Sequence, residues 1–316
     1  MRHGFLESDP GMKVGLGFAG ICLAVMLSAC STAQGLAPAG TRLSASPVAP
    51  RATAGPAMSI SPSPLAAPTP VSPQPMQAPA GSLDPGYIAG ELTSVETGIR
   101  SVDTDAFEYA ALGRQQQQMY HLLAAHRDLV PAVLAQLPAS VRDTVQANLM
   151  AAQQIDTLNG TTSKLPHWQI VAPPPPPVLL GYYREAERTF GVHWQYLAAI
   201  NLIETNMGRI RGLSSAGAQG PMQFMPATWA YYGRGDVNDP HDAILAAARY
   251  LQAAGAQRDM SRAIYAYNNS HLYVRAVTLY AQQMFANERA FLGYYNWQVY
   301  VPTSAGDVLL PEGFSN

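Results

Sequence analysis

"AAINLIETNMG", residues 198–208, is an apolar helical run with one carboxylate set into its oily side. Counting from Leu197, Ile200 stands at i+3 and Glu204 at i+7, close to two turns of about 3.6 residues each. Glu204 therefore shares a face with Leu197 and Ile200 and points toward whatever that face buries. A charged side chain is seldom placed there without a partner or a task, because desolvation penalises the ionised form. Gly208 is a natural stop for the helix, so Glu204 also sits near the negative pole of the macrodipole. Both effects raise its pKa, and a carboxylic acid that keeps its proton near neutrality can protonate a leaving oxygen. The competing reading is a helix-end Glu that turns to water or pairs with Arg209 or Arg211.

The sequence on either side also reads as helix. Tyr182, Tyr183, Ala186 and Phe190 mark one helix face that ends at Gly191. Downstream, "LSSAGAQGPMQFMPATW" (213–229) is rich in small residues, so the backbone there must turn tightly or approach something closely. Pro226 suits the first turn of a short helix closed by Gly233. In "DPHDAILAAARYLQAAG" (239–255), Asp239 is an N-cap, Pro240 opens the helix, Asp242 stands at N3 and Gly255 follows the end. Its inner face is Ile244, Ala247, Ala248 and Leu251. Two more helices follow from about Ser261, interrupted by "YNNS" (267–270). Period-2 strand patterns are scarce, so a mainly α domain is expected over 179–290, with 291–316 as a C-terminal tail.

The preceding part is helical too, but chemically quiet. Ile88, Leu92, Val95 and Ile99 repeat at helical spacing, as do Val141, Val145 and Leu149 behind Ser140, a plausible N-cap. "DAFEYAALGRQQQQMYHLLAAHRDL" (105–129) supplies a helix between them. Residues 87–160 thus read as a small helical bundle or arm. Gln115 to Gln118 read as a solvated helix face. His121 and His126, five apart, miss the i, i+4 spacing that puts two metal ligands on one face. "APPPPPV" (172–178) breaks the chain rigidly and makes 161–178 a connector.

The first 86 residues are an address and a tether. Lys13 precedes an apolar stretch, Val14 to Ala29, that is short and glycine-rich for a membrane span. Residues 1–29 read as a signal peptide. Residues 1–11 are acidic and contain Pro, which suits a signal poorly, so Met12 is an alternative start. Residues 30–86 form an Ala/Pro/Ser linker: positions 35–86 hold twelve of the 26 prolines, a composition that extends as PPII and cannot bury a core. The whole chain of 316 residues carries a net charge of −2 with 13% charged residues. Bulk charge therefore gives no sign of a nucleic-acid partner. The two cysteines, Cys22 and Cys30, both lie in this N-terminal region, which leaves no disulfide framework or zinc-ligand spacing in the body of the protein. No metal or cofactor is expected.

"LIETNMGRIRGLSSAGAQGPMQFMPATW" (202–229) together with "AIYAYNNSHLYVRAV" (263–277) resembles the lytic transglycosylases of the soluble-transglycosylase (SLT) type, which have a lysozyme-like fold. The likeness rests on a Glu at a helix end, then Gly-Ala-x-Gly-x-Met-Gln-x-Met-Pro, then Tyr-Asn. It implies that Glu204 is the catalytic acid and base, and that Ser214 meets the substrate's N-acetyl group. Gln223 and Met225 would line the saccharide cleft, with Tyr267 and Asn268 as the Tyr-Asn element beside the acid. The sequence departs from the pattern at Thr205, where Ser is frequent, at Pro221, where Leu is common, and at Asn269 and Ser270 after Tyr-Asn. "LSAC" (27–30) similarly resembles a lipobox, which implies diacylation of Cys30 and a lasting membrane anchor. An ordinary signal cleaved after Ala33 is the alternative.

The resemblance implies cleavage between N-acetylmuramic acid and N-acetylglucosamine of peptidoglycan glycan strands outside the cytoplasmic membrane. One carboxyl suffices if the substrate's own N-acetyl group stabilises the sugar cation and its C6 hydroxyl closes a 1,6-anhydro ring. A lysozyme-type hydrolase would need a second carboxylate, for which Asp236, Asp239 and Asp242 are candidates, although the last two read better as helix caps. A non-catalytic wall-binding or scaffolding lipoprotein is the third reading. "GDVNDPHD" (235–242) lacks the spacing, central Gly and terminal Glu of a calcium loop.

Overall fold

The computed structural model describes residues 71–76, 83–101 and 104–316. The signal segment, Cys30 and most of the linker lie outside the described residues. A two-residue strand, β1 (Gln74–Pro75), leads to α1 (Pro85–Arg100), which begins where the Asp84 carboxylate accepts the Tyr87 N–H at 2.8 Å. α2 (Ala106–Ala125) is capped in the same way by Asp105, and α3 (Val130–Gln136) and α4 (Ala139–Asn159) complete the first group. α4 starts from Pro138 rather than from the expected Ser140, since Pro138 takes the extended φ/ψ of a cap residue while Ser140 is already inside the first turn.

A short strand β2 (Gln169–Ile170) precedes α5 (Pro176–Phe190), so the last two prolines of the run open a helix instead of spacing it away. α6 (Trp194–Thr205) carries Glu204; β3 (Ile210–Arg211) follows it and pairs with β2. α7 (Pro226–Tyr232), α8 (Pro240–Ala253), α9 (Met260–Tyr267), α10 (His271–Ala286) and α11 (Ala290–Tyr295) come next. The chain ends in a hairpin, β4 (Val299–Thr303) and β5 (Gly306–Leu310), where a tail was expected. Val299 and Val301 alternate inward on a second, small core with Trp168, Ile170, Leu310 and Phe314. Five-residue strands give too little alternation to stand out in a sequence read for helices.

All described residues belong to one compact unit. The predicted helix faces are the core: Ile88, Leu92, Val145, Leu197, Ile200, Ile244 and Leu251 are wholly buried and join a single apolar cluster spanning α1 to α11. α4 packs along α10, so the proline run is a boundary in sequence and not in packing. The end of the linker is likewise built in: β1 adds to β5, with the Met76 N–H donating to the Asp307 carbonyl at 2.9 Å.

The four glutamines are the plainest correction. Gln116 and Gln117 are buried, not solvated. Gln117 donates to the Gln298 carbonyl at 2.8 Å and accepts the Gln298 N–H at 2.7 Å, while Gln116 accepts the Trp297 indole N–H at 2.9 Å. Amide side chains are self-complementary with a peptide group, which lets them replace water inside a core. They clamp the segment leading into β4 onto α2.

Candidate active site

α6 ends abruptly. Asn206, Met207 and Gly208 all have positive φ, at 52°, 64° and 87°. The Asn206 N–H still reaches the Leu202 carbonyl and the Met207 N–H reaches Asn201, so the turn closes with the helix's last carbonyls satisfied. Two non-glycine residues in the left-handed region store strain, and the surrounding bonds hold it. Thr205 Oγ1 donates to the Pro221 carbonyl at 2.6 Å and accepts the Gly208 N–H at 3.1 Å; Asn201 Nδ2 donates to the same carbonyl at 2.8 Å. The hydroxyl that Thr shares with Ser is what ties the helix end to the loop after it. Asn206 Nδ2 donates to the Trp297 carbonyl at 3.0 Å, which joins this end to the C-terminal segment.

Glu204 is 4% exposed. Its Oε1 accepts the Tyr273 hydroxyl from α10 at 2.6 Å. Burial pushes the carboxyl up to about 8, and the Tyr273 hydrogen bond pulls slightly against it. The arginine partners weighed from sequence are engaged elsewhere. Arg209 lies over the Tyr295 ring at 5.2 Å, and Arg211 donates to the Asn238 carbonyl at 2.6 Å. Glu204 is thus held as a neutral acid at neutral pH.

The small-residue loop folds back on itself through Gln219 and Phe224, whose N–H and carbonyl groups pair reciprocally. Gly220 is required there: its φ is 71°, and a Cβ would stand 1.9 Å from the Val237 carbonyl oxygen. Gln223 also has positive φ, and its amide donates to the Gly220 carbonyl at 2.9 Å. Tyr267 donates to the Met222 carbonyl at 2.5 Å and meets Phe224 and Tyr250 edge to face. Ser214 Oγ accepts the Ala218 N–H at 2.9 Å. Met225 caps α7, and Asn268, 3% exposed, ends α9.

A cavity of about 630 Å³ opens over Glu204. Ser214 lines it with Glu204; Gln223, Met225, Tyr267 and Asn268 are not on its wall. The rest of the wall includes Trp168, Trp297, Tyr280 and Tyr300, together with apolar side chains such as Ile155, Ile203 and Val299. Among the described residues, Glu204 is the only carboxyl group on that wall. Asp236, Asp239 and Asp242 instead accept backbone N–H groups around the start of α8.

Residues 181–288 match the family model of the transglycosylase SLT domain. This segment is a transglycosylase SLT domain. No curated protein and no solved structure matches the chain at a significant level. The SLT domain is lysozyme-like in fold, and it marks transglycosylase-type activity on peptidoglycan. It contains Glu204, Tyr273 and Ser214. Fewer than half of the cavity's wall residues lie within it. The remainder come from α2, α4, the 160–168 segment and the residues around β4.

Sequence reasoning missed Tyr273 and these outer walls. Tyr273 is one of 16 tyrosines, and its helical spacing reads as ordinary core. The walls depend on helices far apart in the chain meeting at one place, which local periodicity does not encode.

Proposed function

We propose that this chain is a lytic transglycosylase that cleaves the bond between N-acetylmuramic acid and N-acetylglucosamine in peptidoglycan and leaves a 1,6-anhydromuramoyl end. The observation that carries the reading is a single neutral carboxyl on the wall of a cavity that the SLT domain shares with the segments around it, with no second acid among the described residues of the wall. Glu204 donates its proton to the glycosidic oxygen as the bond breaks. The substrate's N-acetyl group supports the sugar cation, with Ser214 beside it. Glu204, now a carboxylate stabilised by the Tyr273 hydroxyl, takes the proton of the muramoyl C6 hydroxyl as that oxygen closes the ring. The acid is regenerated and no water is consumed. Gln223 and Tyr267, which donate to the Gly220 and Met222 carbonyls, hold the shape of the loop that follows Ser214.

The single-carboxyl geometry favours this reading over a hydrolase. Mass spectrometry of glycan fragments released by the purified protein tests it: anhydromuramoyl ends are expected, and reducing ends alone would establish hydrolysis. Release of no fragments would leave the scaffolding role. We further propose that Cys30 is diacylated and that the Pro-rich segment holds the enzyme off the membrane for cell-wall remodelling. Incorporation of labelled fatty acid should vanish in Cys30→Ala. No helix among the described residues is long and apolar enough to cross a membrane.

A further inference from the structure

The chain has two lysines among its 19 basic residues, Lys13 and Lys164. Lys164 is therefore the sole lysine of the described residues, and it stands on the wall of the Glu204 cavity. No arginine, and no acid besides Glu204, shares that wall among the described residues. In a protein of net charge −2, the one permanently charged group facing the site is a cation.

The segment that presents it is fixed. The Thr162 N–H donates to the Pro302 carbonyl of β4 at 2.9 Å. Thr162 Oγ1 donates to the Lys164 carbonyl at 2.8 Å and accepts the Lys164 N–H at 3.2 Å. Asn316 Nδ2 reaches the Pro166 carbonyl at 3.3 Å. The backbone is thus held on both sides while the Lys164 side chain stays exposed, with no ion pair among the described residues. His167, exposed on the same wall, adds an imidazole.

We propose that Lys164 and His167 form a carboxylate-reading subsite for the peptide side chains borne by the glycan. The inference rests on the peptidoglycan reading above and extends it to a segment outside the SLT domain. An exposed ammonium and the His167 imidazole on one wall suit a carboxylate, while the other imidazole of that wall, His121, is already bonded to Asp307 at 2.5 Å. The ammonium acts as a point charge and does not impose the bidentate geometry of an Arg; the carboxylate is favoured here because peptidoglycan peptides supply one. While the peptides are attached, the muramoyl lactyl carboxyls are tied up as amides, so the carboxylates of such a strand lie on its peptides, where a cation at this wall can read them.

Equilibrium binding of full-length Glu204→Gln protein to two glycan preparations tests this without turnover, one bearing its peptides and one stripped of them with the freed lactyl carboxyls capped as amides. Peptide-bearing strands should bind about three- to fivefold tighter, the size expected of an exposed charge pair. Adding Lys164→Gln should bring the ratio to about one, whereas Lys164→Arg should retain most of it. Added salt should compress the ratio only where Lys164 is intact. The same ratio with Lys164 intact and with Lys164→Gln, or no binding to either strand, would overturn the subsite. The transglycosylase reading is judged separately, by the products of the wild-type enzyme.

Discussion

Two regions of this molecule each bury a glutamate on a helix, and they treat it in opposite ways. Around Glu96, wholly buried on α1, four donors converge: the Arg100 guanidinium, the Tyr120 hydroxyl, Gln116 Nε2 at 3.0 Å and Asn148 Nδ2 at 3.1 Å. Tyr294 of α11 donates in turn to Asn148 at 2.5 Å. The carboxylate there is a knot that ties α1, α2, α4 and α11 together. Around Glu204 one hydroxyl approaches and a cavity opens. The comparison teaches that burial alone does not fit an acid for the proton transfer proposed for Glu204. What separates the two is how many donors arrive, whether a cation is among them, and whether substrate can reach the group.

Removing each carboxylate should therefore fail differently. Glu204→Gln should cut glycan cleavage by about 10²–10⁴-fold, the range of a lost general acid, with the circular dichroism spectrum unchanged. Retained cleavage would erase the distinction between the regions. Glu96→Ala should lower stability by about 3–5 kcal/mol in denaturant unfolding, because Arg100 and three polar partners lose their acceptor.

The pH dependence sharpens the contrast. Glu204 titrates near 8 when folded, against an ordinary value of 4.5. Between those values the native state holds a proton that the unfolded chain releases. The stability this gives is full below about 4.5 and is lost as pH rises to about 8, a change of order a few kcal/mol. Thermal melts of wild type and Glu204→Gln should diverge across that window, with the variant relatively more stable at the alkaline end. Parallel melting curves would show that the acid is not desolvated. The smallest effect is expected of Tyr273→Phe. Its hydroxyl favours the carboxylate, so its loss should raise the Glu204 pKa further and move the alkaline limb of the activity profile to higher pH. The rate should fall about two- to tenfold, the worth of one hydrogen bond.

Much of the SLT domain was legible in the residues. Asp239 and Pro240 do begin α8, Ile244 and Leu251 do face the core, and Glu204 shares its buried face with Leu197 and Ile200 as its spacing requires. Each of these follows from local chemistry: a cap, a ring, a period of 3.6. The flanking helices were legible as helices only. Gln116 and Gln117 look like solvent-facing residues because nothing local tells an amide that meets water from one that meets the backbone of Gln298.

The sequence by itself determined the helices, their buried faces and the acid that one of them carries, since these depend on residues a few positions apart. Tertiary structure alone decided that α2, α4 and the hairpin wall the site, that Tyr273 is the partner of Glu204, and that Lys164 faces the same cavity. Those relations join residues from about 40 to 180 positions apart. Only the closing of the whole core brings such residues within reach of one another.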